Sequence, residues 1–212
     1  MTTALVVGNG ESRNSVNLTK FIEDYETIGC NALHRDYVVD HLVCCDRRMV
    51  EESIESNNTI NTQIYVREDW FRYFRKIRKD KRINIVPDLP YPGKLKQDLP
   101  INWGSGPYAV LLGALLQPSV MLLGFDLYPT DDKVNNIYKG TPNYAPASAN
   151  PVDYKYWVYQ IGKIVKHFPE TEFIIFNYPD WKMPREWKYP NVRFEKINDS
   201  GVESITKTIY NI

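Results

Sequence analysis

Residues 105–126 read Ser-Gly-Pro-Tyr-Ala-Val-Leu-Leu-Gly-Ala-Leu-Leu-Gln-Pro-Ser-Val-Met-Leu-Leu-Gly-Phe-Asp. An apolar run from about 107 to 116 breaks at Gln117-Pro118-Ser119, and a second run, Val120–Phe125, ends at Asp126. The first run has the length of a helix and no polar face, so it predicts a buried helix. The second has the length and flanks of a strand covered on both sides. The break between them argues against a membrane span. A buried helix feeding a buried strand is the working unit of a parallel sheet.

The same alternation continues outward in both directions. Strands are predicted at Ala4–Val7, Glu26–Cys30, His41–Cys45, Gln63–Val66, Ile83–Val86, Glu172–Phe176 and 191–196. Helices are predicted from about Asn14 to Asp24, Arg47 to Ser56, Trp70 to Arg78, Val152 to His167, and over 201–209. This order predicts one α/β domain spanning 1–212, Rossmann-like, with a mostly parallel sheet and helices on both faces. The loop at 127–150 is long and polar, as functional loops are. In the loop at 178–190, Trp181 and Trp187 either stack on a sugar, a base or another subunit, as in a homo-oligomer, or pin the loop to the domain edge.

Formal net charge is zero, so whole-molecule electrostatics give no argument for nucleic acid or an anionic membrane as partner. Basic residues do concentrate between Arg72 and Arg82. Helical spacing puts Trp70, Phe71, Phe74 and Ile77 on one face and the charges on the other. That charged face is either solvated and balanced by Glu51, Glu52 and Glu55, or a contact for nucleic acid. The three cysteines, Cys30, Cys44 and Cys45, suit neither a disulfide framework nor a zinc site. Adjacent Cys44 and Cys45 should point to opposite faces of a strand, as buried free thiols in a reducing compartment. Met1–Gly8 has no basic flank and only a short apolar stretch, so a cytoplasmic location is expected.

In a parallel sheet, ligands bind beyond the carboxyl ends of the strands. The first strand ends in Gly8-Asn9-Gly10-Glu11-Ser12, where glycines let backbone N–H groups approach a phosphate or ribose and a following helix offers its positive end. The same turn is also a plain way to reverse the chain. Asn31, Asp46 and Asp126 end three further strands, with Tyr128 just beyond, and Ser105-Gly106 opens the buried helix. No spacing of ligands predicts a metal site.

These residues resemble a family. Gly8-Asn9-Gly10-Glu11-Ser12 is similar to the Gly-Asn-Gly-Pro-Ser turn of the bacterial sialyltransferases of glycosyltransferase family 42, and Cys30-Asn31 to that family's Cys-Asn. Ser105-Gly106-Pro107-Tyr108, followed by Gly124-Phe125-Asp126-Leu127-Tyr128, resembles its Ser-Gly-x-Tyr … Gly-x-Asp-x-Tyr block. Related strand ends occur in archaeal pterin pyrophosphokinase-like proteins. The resemblance implies a nucleotide site lined by Asn9, Ser12, Asn31, Ser105 and Asp126, taking a CMP-type nucleotide sugar with no metal or other cofactor. It also implies that tyrosine hydroxyls, among Tyr128, Tyr138 and Tyr144, stabilise the departing phosphate.

The chain departs from the family at three places. Residues 129–155 hold no histidine, Asp46 stands where the family has asparagine, and Asn102 and Trp103 occupy the region of an expected arginine. His34, close after Asn31, is then either a substitute base or a packed side chain. The leading expectation is sugar transfer from a nucleotide sugar to an acceptor. The alternatives are a non-catalytic nucleotide- or metabolite-binding protein and a Mg²⁺-dependent pyrophosphokinase-like enzyme.

Overall fold

The computed structural model of the protein describes residues 3–20 and 22–197; the helix expected over 201–209 lies outside them. Eight strands form one sheet: β1 (Thr3–Val7), β2 (Glu26–Cys30), β3 (His41–Val43), β4 (Gln63–Val66), β5 (Ile83–Ile85), β6 (Ser119–Leu123), β7 (Glu172–Asn177) and β8 (Val192–Lys196). Their order is β5-β4-β3-β2-β1-β6-β7-β8, and every pair is parallel. The sheet therefore grows one way from β1 to β5 and the other way from β6 to β8. The β1–β6 boundary is the topological switch point of a Rossmann-like α/β fold, where such sheets open a crevice.

The helices α1 (Arg47–Glu55), α2 (Glu68–Arg78), α3 (Ser105–Leu116) and α4 (Lys155–His167) cover both faces. Period-two alternation sorts β1 between them. Ala4 and Val6 join the core under α3 and α4, whereas Leu5 and Val7 join the core under α1 and α2. Cys45 lies in the first core and Cys44 in the second, as adjacency in an extended segment requires. All three thiols are free and buried, and burial pushes Cys30 and Cys45 up to about 12, so they are protonated at neutral pH. No helix among the described residues is long and apolar enough to cross a membrane.

Several boundaries differ from the expectation, each for a local reason. Among the described residues no α-helix follows the first strand. Two 3-10 turns, Glu11–Ser15 and Leu18–Lys20, stand there. Ser15 Oγ donates to the Ser12 carbonyl, and Asn17 Oδ1 accepts from Thr19 N and Oγ1, so side chains compete for the bonds a helix would need. The helix expected from 107 begins at Ser105 and that from 152 at Lys155. The strand expected to reach Phe125 stops at Leu123, because Gly124 turns left-handed at φ 75°. On α2, Phe74 is buried, but Ile77 is 62% exposed because the helix covers only the β4–β5 edge of the sheet.

The basic segment braces that edge. Arg72 pairs with Glu68, and Arg78 with Glu55 at 3.1 Å. Arg75 donates to the Lys81 and Ile83 carbonyls, and Arg82 to those of Thr59 and Ile54. Of the expected balancing acids, Glu55 alone faces this segment; Glu51 pairs with Arg47 and Glu52 with Arg35. In the 178–190 loop, the indole of Trp181 donates to the Asp126 carbonyl at 2.8 Å and that of fully buried Trp187 to the Val158 carbonyl at 2.9 Å. Both tryptophans thus pin the loop to the domain.

Candidate functional site

A cavity of about 370 Å³ opens at the carboxyl end of the sheet. That is within the range of roughly 300–1,000 Å³ typical of small-molecule sites. Its wall takes Gly8–Gly10 after β1, Asn31 after β2, Asp46 after β3, Arg67 after β4 and Gly124–Leu127 after β6. The first turn of α3 closes one side with Gly104, Ser105 and Gly106. Ser105 and Gly106 present backbone N–H groups that have no intrahelical acceptor, at the positive end of a 12-residue helix. The helix end expected after Gly10 is thus supplied by α3.

A hydrogen-bond relay locks the floor. Ser105 Oγ accepts from Cys45 N at 2.9 Å and donates to Asn31 Oδ1 at 2.8 Å. Asn31 itself is left-handed at φ 50°, a conformation asparagine tolerates better than most residues. Its Oδ1 is used by Ser105, and its Nδ2 has no acceptor among the described residues. Asn9 is the reverse case. Its Nδ2 donates to the Cys30 carbonyl and to Tyr144 Oη, both at 3.1 Å, which fixes the amide orientation. Its Oδ1 is buried and has no partner among the described residues. The cavity therefore keeps a spare donor on Asn31 and a spare acceptor on Asn9.

Two expected ligand contacts have structural duties first. Asp126 is 6% exposed; its carboxylate accepts from Ser12 N at 2.8 Å, from Ser12 Oγ, and from Asn177 Nδ2 at 3.4 Å. A side chain at Gly10 would overlap that carboxylate, and one at Gly8 would overlap the Gly124 carbonyl. The glycines make room for the β1–β6 turns to interlock. Ser12, engaged with Asp126, does not line the cavity. Leu127 is also strained, at φ 65°, in a tight turn closed by Tyr128 N donating to the Asp126 carbonyl at 2.7 Å.

The two residues expected to act in catalysis lie outside the cavity lining. The Tyr128 hydroxyl donates to the Lys182 carbonyl at 2.9 Å, and its ring packs edge-on against Tyr154. His34 is 1% exposed; its Nδ1 bonds the Asn31 carbonyl at 2.9 Å, and its Nε2 lies 3.5 Å from Glu52. Tyr138 and Tyr144 tie the 127–150 loop down: Arg13 donates to Tyr138 Oη, which donates to Asp36, while Tyr144 Oη accepts from Asn9.

Arg35 adds a second tether, bonding Glu52 as well as Thr141 and the Pro142 carbonyl in the loop. The Arg35 bond holds the Glu52 carboxyl below its ordinary 4.5. A lowered folded value contributes stability that is full above about pH 4.5 and fades as pH falls through the folded value. Urea unfolding of R35Q is accordingly expected to show a larger loss against wild type near pH 6 than near pH 3. An equal loss at both would contradict the ion pair's role.

Sequence reasoning missed Arg67, Trp103 and Trp157, which also line the cavity. Arg67 had a signal, since it is the first residue after β4. Trp103 precedes the α3 start by two positions, and Trp157 reaches the site from α4 through tertiary packing alone. Among the described residues, no group of three or more His, Cys, Asp or Glu stands together to hold a metal. The fold and site define an α/β protein with a cavity at its switch point. Comparison with family models, with curated proteins and with solved structures finds no match.

Proposed function

We propose that the chain binds a nucleotide in this cavity and transfers a sugar from it, with a CMP-type nucleotide sugar as donor. The observation that carries the reading is the convergence of the α3 N-terminus, the spare Asn31 donor and the spare Asn9 acceptor on one cavity at the switch point. An anionic phosphate suits the helix end, and a base or ribose suits the two amides. The resemblance of the Gly8–Ser12, Cys30–Asn31 and Ser105–Tyr128 blocks to family 42 points to the cytidine type. In the transfer, the acceptor hydroxyl attacks the anomeric carbon, its proton passes to Asp46, and the sugar–phosphate bond breaks with the nucleotide leaving. Asp46 suits the base because it is the exposed carboxylate at the cavity rim.

The test incubates the chain with CMP-, UDP- and GDP-sugars and an acceptor panel in the presence of a chelator, reading nucleotide release. Turnover with a CMP-sugar is expected. D46N should lower kcat by about 100-fold, the usual worth of a general base, while leaving the nucleotide Kd nearly unchanged. A second reading, a non-catalytic nucleotide-binding protein, is favoured by the outward engagement of Tyr128 and the burial of His34. Nucleotide binding with no turnover of any donor would select it. ATP-dependent turnover that needs Mg²⁺ would select pyrophosphate transfer instead.

A further inference from the structure

Arg67 is the one cationic residue lining the cavity among the described residues. Its guanidinium is held from behind: Nε and Nη2 bond Asp69 at 3.3 and 3.0 Å, and its carbon lies 5.7 Å from the centre of the Trp70 ring. That leaves Nη1 without an acceptor among the described residues. Arg67 and the first turn of α3, Gly104 to Gly106, line the same cavity. Trp103 supplies an independent sign. It lines the cavity, is 2% exposed, and its indole N–H has no partner among the described residues. Buried N–H groups are almost always paired, so a donor left free at a cavity wall marks the place of an acceptor.

Two carboxylates share the cavity with Arg67, Asp46 exposed at the rim and Asp126 buried. Asp126 spends its carboxylate on Ser12 and Asn177. Arg67 stands at the end of β4, three strands from Asn9 at the end of β1. A ligand held at Asn9 therefore reaches Arg67 by extending along the strand ends from β1 toward β4, past the first turn of α3.

We propose that Arg67 and Trp103 form a second oxyanion subsite beside α3, so that the cavity selects a nucleotide bearing one acidic group beyond its first phosphate. That group is a β-phosphate or a sugar carboxylate; both present a pair of anionic oxygens that a guanidinium can bond. The subsite rests on the nucleotide reading for the nucleoside, and on Arg67 and Trp103 alone for the anion.

The experiment is calorimetric titration of wild type, R67Q, W103F and R72Q at constant ionic strength. The probes are CMP, CDP, a CMP-sugar carrying a carboxylate, and inorganic pyrophosphate. Wild type is expected to bind CDP or the acidic CMP-sugar at least about tenfold more tightly than CMP, as one bond to a charged group provides. Whichever ligand holds that advantage identifies the group. R67Q should remove the advantage and leave CMP within about twofold, W103F should reduce it, and R72Q, on the exposed face of α2, should not alter it. Pyrophosphate should bind wild type and lose about tenfold with R67Q. If pyrophosphate behaves so while CMP and cytidine conjugates do not bind, the subsite stands and the nucleotide reading falls. Equal affinities for CMP and its acidic relatives, or pyrophosphate that binds R67Q as well as wild type, would overturn the subsite. Circular dichroism melts confirm that each variant is folded, and loss of binding in W103F without loss in R67Q would also count against the proposal.

Discussion

Gly124→Ala is expected to lower the unfolding free energy by about 3 kcal/mol, from strained backbone and overpacking together. Gly124 adopts φ 75°, and a Cβ there would meet the Gly8 carbonyl oxygen at 2.7 Å and its carbon at 3.0 Å, backbone that cannot swing aside as the Arg13 side chain at 3.3 Å could. Gly8 N donates to the Leu123 carbonyl at 2.8 Å and Gly10 N to the Gly124 carbonyl at 2.9 Å, so shifting either turn breaks the bonds that carry the β1–β6 pairing into the cavity floor. Gly140 is the internal control. It has nearly the same φ, 76°, but its nearest neighbour would be 3.9 Å away. Gly140→Ala should therefore cost about 1 kcal/mol, the backbone term alone. Urea unfolding of the two variants separates the terms. Equal losses would mean that the close approach of the two turns contributes nothing.

Asp126→Ala is expected to cost about 3 kcal/mol as well, by a different route. The carboxylate is buried and satisfies the Ser12 amide, the Ser12 hydroxyl and the Asn177 amide; its removal strands three donors away from water. Asp126→Asn keeps the shape but turns one acceptor into a donor facing Ser12, so it should recover only part of the loss. If Asp126→Ala unfolds at the same urea concentration as wild type, the carboxylate's role is not structural. The consequence for ligand studies is direct: lost binding in Asp126→Ala reports a loosened β1–β6 turn before it reports a lost contact.

Much of this was visible in the sequence, for identifiable reasons. Val120–Leu123 and Ala4–Val7 read as doubly buried strands because continuous apolar runs of that length have few other uses. Asn31, Asp46 and Ser105 were found by one rule, that polar residues ending parallel strands or opening helices face the ligand side. The rest depends on contacts that no local pattern encodes. Gly8 and Gly10 looked like phosphate-approach glycines; their duty to Gly124 and Asp126 arises only when two strands over a hundred residues apart lie side by side. Arg67 was hidden in a stretch already rich in arginine and lysine. His34 and Tyr128 sit near the site in sequence, but a 3-10 turn over Asn31–Arg35 and the tight turn at Leu127 direct them elsewhere. The helix expected after Gly10 failed because Asn17 and Ser15 hold the chain in short turns.

The most direct test of a nucleotide site is a thermal melt of wild type and Asn31→Asp against CMP, UDP, GDP, ADP and their sugar conjugates. Aspartate keeps the left-handed backbone and the acceptor for Ser105, and removes only the spare donor while adding a charge that repels phosphate. At about 100-fold its dissociation constant a ligand adds about 2.7 kcal/mol, or roughly 5–10 °C for a domain of this size. A cytidine nucleotide should raise the wild-type midpoint by that amount and leave Asn31→Asp unmoved. A flat response of the folded wild-type chain to the whole panel, or a shift that Asn31→Asp retains in full, would contradict a nucleotide site at the β1–β6 switch point.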